Sequence, residues 1–281
     1  MLSKYTTFKI GGPARYFYLS KNKDDLIEAI SKGREENLNI FILGGGSNVL
    51  VSDAGFTGLV IKIAHDDLKI AGQDVFAGAG VELPRLVEET AREGLSGFEW
   101  MAGVPGTVGG AIYGNANAYG SSISDNLIKV SCLDKNDLRI KEKTKKECDF
   151  SEKMSVFKKN KNLIVLSASF ITKKGERDII EKENADRIAL RASKHPLEFG
   201  NAGSVFINKP GQKLPSSYLV ELAGLKGTKV GGAEVSTKHG GFIVNKGNAT
   251  CEDILKLIEV VKKKVKEFHG VDLETEVQII K

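Results

Sequence analysis

The apolar positions of the chain change their period several times, and each change marks an element. Ala14 to Leu19 is an apolar and aromatic run that predicts a strand. After it, Leu26, Ile27 and Ile30 recur at helical spacing, Asn22 stands where a side chain can accept the first free amides, and acids fill the opening turn. A helix over 23–36 is predicted. Asn39 to Leu43 is a run of strand length that ends in Gly44-Gly45-Gly46-Ser47-Asn48, and the β-rich Val49-Leu50-Val51 follows. This opening reads as a small β-α-β lobe.

Farther on, 59–63 and 74–77 read as strands separated by a turn. Pro84 sits at a helix start whose buried face is Leu83, Leu86, Val87 and Ala91, with Gly94 at its stop. The 127–134 segment alternates so that Ile128, Val130 and Cys132 share a face, and 163–170 is a continuous apolar run. The clearest helix begins at Thr250, which with Asp253 makes a capping box. Ile254, Ile258, Val261, Val265 and Phe268 form its stripe, and Gly270 closes it. The closing 272–280 run predicts one strand with Leu273, Thr275, Val277 and Ile279 on one face. The lysine-dense 135–161 segment reads as a solvated face, and 174–181 as the crossing into a further lobe. No internal repeat is present.

One stretch obeys neither period. Ala102 to Gly120 reads A-G-V-P-G-T-V-G-G-A-I-Y-G-N-A-N-A-Y-G, six glycines in nineteen residues, with few large apolar side chains. It is expected to be a loop that brings main-chain amides close to an anionic ligand. The other glycine cluster, at 44–46, leads into a strand rather than a helix, which excludes the Rossmann dinucleotide turn.

Composition narrows the picture. The 281 residues suffice for two domains, and 41% hydrophobic and 27% charged residues belong to an ordinary globular protein. Forty-one Lys and Arg against 36 Asp and Glu leave a net charge of +5, which suits an anionic small molecule. The lysines are scattered without an aromatic-rich patch, so no nucleic-acid partner is expected. The N-terminus lacks an apolar signal core, and no apolar run approaches the ~18 residues of a membrane span, so a cytoplasmic protein without a membrane partner is expected. Cys132, Cys148 and Cys251 form no C-x-x-C pair and read as free thiols, with no metal site. No surface stripe argues for a dimer, and a monomer is expected.

The ordered set of motifs resembles the UDP-N-acetylenolpyruvoylglucosamine reductase (MurB) family. It comprises G-G-P-A-R at 11–15, G-G-G-S-N at 44–48, G-V-P-G-T-V-G-G-A at 103–111, N-A-G-S-V-F at 201–206, Lys226-Gly227 with Gly231-Gly232-Ala233, and L-E-T-E-V at 273–277. The resemblance covers nearly the whole chain and is to the short class lacking an extra tyrosine-bearing loop. It implies an α+β fold: a two-lobe FAD-binding domain of the vanillyl-alcohol-oxidase (PCMH) type over 1–178, with lobes about 1–58 and 59–178, then a substrate-binding α+β lobe over 179–281. It also implies bound FAD, NADPH as hydride donor, and reduction of the enolpyruvyl ether of a UDP amino sugar to UDP-N-acetylmuramate for cell-wall precursors.

Site residues are carried over position by position. Gly44, Gly45, Gly46, Ser47, Asn48, Val49, Leu50, Gly103, Pro105, Gly106, Thr107, Gly109, Gly110, Ala111 and Asn115 are implied to hold FAD. Ser204 matches the family's proton donor to C2, and Glu276 the glutamate beside the carboxylate on which enolate charge develops. Lys194 and Asn208 match contacts to the UDP diphosphate. At 150–157 the family pattern F-x-Y-R-x-S-x-F becomes F-S-E-K-M-S-V-F. Lys153 thus replaces an arginine, keeping the charge but losing the two-pronged contact with a carboxylate. Two other readings remain open: a flavin-dependent alcohol oxidase of the same fold, and a flavin-binding protein without turnover.

Overall fold

A computed structural model of the chain describes residues 1–209 and 211–281. These gather into two compact units, one of Tyr16–Gly45 and Gly58–Arg191, the other of Met1–Arg15, Gly46–Thr57 and Ala192–Lys281.

In the first unit the Asn22 side chain accepts from the amides of Asp24 and Asp25 and starts α1 (Lys23–Glu35), which buries Leu26 and Ile30. The helix returns the chain into the strand Ile40–Leu43, parallel to Phe56–Ile63, and with Ala14–Ser20 these make a three-stranded sheet. A five-stranded antiparallel sheet follows, in the order Ile140–Thr144, Leu127–Asp134, Leu163–Ile171, Asp74–Gly78, Leu68–Ala71. As predicted, α2 (Leu83–Arg92) buries Leu83, Leu86, Val87 and Ala91, and Gly94 follows it at φ +64°. One core joins these elements through Trp100, Met101, Ile112, Phe157 and Phe170.

Several expectations for this unit are corrected. The 102–120 stretch is not all loop, because it contains α3 (Val108–Gly114), which buries Val108, Ala111 and Ile112. Small residues are what allow this. A Cβ on Gly109 would lie 2.8 Å from the Ala79 Cβ, so α3 packs by close backbone approach rather than by bulk. Ile128 does not share the face of Val130 and Cys132. A register shift between Leu127 and Lys129 turns it outward, 42% exposed. Where only a turn was expected between two strands, Leu68–Ala71 forms a hairpin with Asp74–Gly78. The lysine-rich segment is largely solvated, as expected, and within it lie the exposed edge strand Ile140–Thr144 and the short α4 (Val156–Lys159). The charged stretch beyond it runs into α5 (Arg177–Lys194).

In the second unit an antiparallel sheet runs Gly200–Ser204, Phe242–Asn245, Ala233–Val235, Lys229–Val230. Over it lie α6 (Ser216–Leu222) and α7 (Cys251–His269), the latter with both halves of the Thr250/Asp253 capping box and Gly270 in the left-handed region. Ile254, Leu257, Ile258, Val261 and Val265 bury the stripe of α7 in a core with Phe8, Leu50 and Phe206. Phe268 is 65% exposed instead of buried, and the last turn is tied down by His269 bonding to the Leu219 carbonyl. The 272–280 run is a strand only at Gln278–Ile280, parallel to Val49–Val51, with a single bridge from Thr275 to Phe206 upstream. Leu273 and Val277 are buried, whereas Ile279 is exposed. Both units mix helices and sheet, as the expected α+β class requires. Among the described residues no helix is long and apolar enough to cross a membrane.

Candidate active site

In the first unit the two glycine clusters meet. Gly44 and Gly45 end the strand Ile40–Leu43, and a Cβ on Gly45 would lie 2.7 Å from the Gly106 Cα, while one on Gly44 would lie 2.9 Å from Thr107 Oγ1. These glycines therefore bring two loops together as well as leaving main chain open to a ligand. Thr107 precedes α3, and its hydroxyl is buried without a partner. Asn115, at the other end of α3 with φ 43°, donates through Nδ2 to the Ser151 carbonyl at 2.9 Å and leaves its buried Oδ1 unmatched. Leaving such atoms unmade costs about 1–3 kcal/mol each. A dinucleotide cofactor fits the need, its phosphates accepting from a threonine hydroxyl and its sugar hydroxyls donating to an amide oxygen. Around them Gly103 accepts from Arg191 Nε at 3.2 Å, Pro105 and Gly110 are exposed, and Ala111 is buried.

Lys62 was not singled out by the sequence. It pairs in register with Leu43, and its Nζ donates to the Gly44 carbonyl at 3.0 Å. Burial pushes its pKa below the ordinary lysine value, against the opposing pull of Glu82. A half-buried cation at a glycine turn has no local signature, because only the pairing of two distant strands creates it.

The Lys153 turn belongs to the same unit. Asn115 holds it through the Ser151 carbonyl, Ser155 Oγ donates to the Tyr113 carbonyl at 2.7 Å, and Asn117 Nδ2 donates to Glu152 at 3.0 Å. The turn is thus anchored directly to the 113–117 end of the central stretch. Lys153 itself sits at φ 54°, and its carbonyl accepts from Lys158 Nζ.

In the second unit the structure brings together Asn48, Ser204 and Glu276. The Glu276 amide donates to the Val205 carbonyl at 2.7 Å, and the Glu276 carbonyl accepts from Asn48 Nδ2 at 3.4 Å. Asn48 Oδ1 is buried and unmatched. Gly46 backs onto the Tyr5 carbonyl, with no room for a side chain, and Ser47 is half-buried. Val49 and Leu50 point into the core and can offer a ligand only main chain. Ser204 Oγ donates to the Phe206 carbonyl at 3.3 Å. Asn208 accepts the Ser216 amide through Oδ1 at 2.8 Å, which starts α6 and leaves its Nδ2 as a donor. Lys194, the last residue of α5, is exposed. Cys132, Cys148 and Cys251 are free and buried.

Comparison with known proteins identifies the family. Residues 195–280 match the UDP-N-acetylenolpyruvoylglucosamine reductase C-terminal domain, and residues 14–140 match an FAD binding domain. The UDP-N-acetylenolpyruvoylglucosamine reductase of Clostridium novyi is 42% identical over 285 residues, spanning 100% of this chain and 90% of that protein. That of Caldanaerobacter subterraneus is 41% identical, spanning 99% and 91%. The crystal structure of the Thermus caldophilus enzyme (MurB) superposes with a TM-score of 0.85 at 32% identity, covering 100% of this chain and 97% of that one. A Phl p 4 glucose oxidase variant, at 15% identity and a TM-score of 0.50, shares the fold over 63% of this chain. The ordered motifs, the paired glycine loops and full-length relatives at about two identical residues in five converge: this chain belongs to the UDP-N-acetylenolpyruvoylglucosamine reductase family.

Proposed function

We propose that the protein reduces the enolpyruvyl ether of UDP-N-acetylglucosamine to UDP-N-acetylmuramate, a cell-wall precursor, with bound FAD and with NADPH as reductant. When bound, FAD supplies the hydride chemistry, from NADPH to N5 and from N5 to C3 of the ether. The chain's own residues have four tasks: to hold the cofactor, bind the UDP end, stabilise charge on the carboxylate, and deliver a proton to C2.

The observation that carries the reading is the junction of Ser204 with Glu276, whose amide bonds to the residue after the serine. A hydroxyl is a weak acid, so Ser204 gives its proton only to a strong base held within reach, and an enolate at C2 is one. Lys153 then supplies positive charge against the negative charge developing on the carboxylate, and Glu276, in its protonated form, supplies a hydrogen-bond donor. The free Nδ2 of Asn208 and the exposed ammonium of Lys194 suit a diphosphate. Gly44–Leu50, the 103–111 loop, Thr107 and Asn115 hold the cofactor. In this reading residues 1–178 serve the cofactor and 179–281 the substrate, and the protein works as a cytoplasmic monomer.

The test is an anaerobic visible spectrum of the purified, FAD-loaded protein through successive additions of NADPH and the UDP-enolpyruvyl sugar. Bleaching by NADPH and return of colour with the sugar is the expected result. Bleaching without return would remove Ser204, Glu276 and Lys153 from their roles, and a protein that cannot be loaded with FAD would remove the whole reading.

A further inference from the structure

We infer that His239 positions the Ser204 hydroxyl and stabilises the oxygen anion left when that hydroxyl gives up its proton; the inference rests on Ser204 being the proton donor to C2. Ser204 lies in register with Phe242 on the neighbouring strand. A Cβ built on Gly241 would lie 3.0 Å from Ser204 Oγ and 3.1 Å from His239 Cε1. The hydroxyl and the edge of the imidazole therefore border one small space, which only a glycine at 241 leaves open. The hydroxyl's bond to the Phe206 carbonyl, at 3.3 Å, is long for an O–H donor and is readily exchanged for another partner.

The ring is fixed on several sides. It meets His195 and Phe242 edge-on at centroid distances of 5.2 and 4.9 Å, and its Nδ1 accepts the Gly241 amide at 3.1 Å. With Nδ1 an acceptor, the proton of the neutral ring resides on Nε2, which is left as a donor. The charged and titratable groups around it are Lys226, Glu221 and His195. Burial first, then the Lys226 ammonium, holds the ring's pKa below the ordinary histidine value. Glu221, paired with Lys226 at 2.9 Å, opposes this. The imidazole is uncharged at neutral pH.

As hydride reaches C3, the Ser204 O–H bond breaks, and its proton forms the C2–H bond with the electron pair of the enolate. Ser204 Oγ is left negative. His239 donates its Nε2–H to that oxygen until water reprotonates it. Protonating the ring would set Nδ1–H against the Gly241 N–H and turn the ring out of place, so colour return in the native protein should fall on the acid side.

The experiment follows bleaching by NADPH and colour return with the UDP-enolpyruvyl sugar by stopped flow, on the FAD-loaded full-length protein between about pH 5 and pH 9. His239→Phe keeps a flat ring against His195 and Phe242 but has no donor, while His239→Gln keeps one acceptor and one donor. The phenylalanine variant is expected to slow colour return about tenfold to a hundredfold, with bleaching and the half-saturating sugar concentration unchanged. The glutamine variant is expected to recover most of the rate and to lose the acid limb. Equal slowing in both variants, or a native rate and acid limb in either, would overturn the role of His239. Ser204→Ala separates the premise: native colour return there removes Ser204 as donor, whereas slow return beside a native His239→Phe rejects His239 alone. If the phenylalanine variant does not fold, the glutamine variant decides, since retention of the native acid limb in it would overturn the inference.

Discussion

Replacing Gly45 by alanine tests whether the meeting of the two glycine loops is what builds the cofactor site. An ideal Cβ at 45 would lie 2.7 Å from the Gly106 Cα, 3.1 Å from the Gly106 carbonyl carbon and 3.3 Å from the Thr107 nitrogen. All three are main-chain atoms, so no side chain can swing aside, and the loops must part. Overpacking of this kind costs about 1–3 kcal/mol. If the loops resist, the loss appears as reduced stability of the FAD-free protein. If they yield, FAD must close them again, and its dissociation constant rises by roughly five- to 150-fold, at 1.36 kcal/mol per factor of ten. Urea unfolding of the FAD-free protein and a fluorescence titration with FAD together measure both shares. Gly114→Ala is the control. It lies in α3, and its Cβ would meet nothing within 4 Å. A helical Gly→Ala change there should be neutral or should stabilise by up to about 1 kcal/mol. The reasoning is refuted if Gly45→Ala leaves both stability and FAD affinity at native values, or if Gly114→Ala is as damaging.

Two further expectations concern titrating groups. Lys62 has a folded-state pKa lowered by burial, so between that value and the ordinary 10.5 the unfolded chain holds the extra proton. Native stability relative to Lys62→Met should therefore rise with pH through that window; a difference that stays flat or falls, in urea titrations run across the alkaline range, would reject the buried-cation description. Burial pushes the Cys148 thiol up to about 12 and Cys251 up to about 11. With all three cysteines buried, a thiol reagent at mildly alkaline pH should label none of them before unfolding and all three after it, and rapid labelling of the native protein would contradict this.

How much was legible in the sequence depended on how local the controlling interaction was. α1 and α7 announce themselves because Asn22 and Thr250 cap amides two or three residues away and the buried stripe repeats within the same helix. α5 did not, because it buries only Ile180 and Asn184. Its i,i+4 pairs, the exposed Arg177 with Glu181 and the half-buried Arg187 with Glu183, resemble any charged run. α3 was hidden by its own glycines, whose weak helix preference is overridden by close packing on Ala79. The faces of Ile128 and Ile279 were misread for a related reason: a register shift in one case, and in the other a strand too short to carry the alternation.

The candidate site divides along the same line. Order and identity of residues single out the glycine motifs, Ser204, Glu276 and the departure at Lys153 as candidates, because a motif is a property of neighbours along the chain. That the Glu276 amide bonds beside Ser204, that Gly45 backs onto Gly106, that Lys62 reaches the Gly44 carbonyl and that Ser204 Oγ and the His239 ring edge both flank Gly241 were decided only by tertiary structure. Each depends on strand pairing or on the absence of a single Cβ between distant segments. No periodicity or local propensity encodes such a distance, since it is set by how whole sheets and loops close on one another.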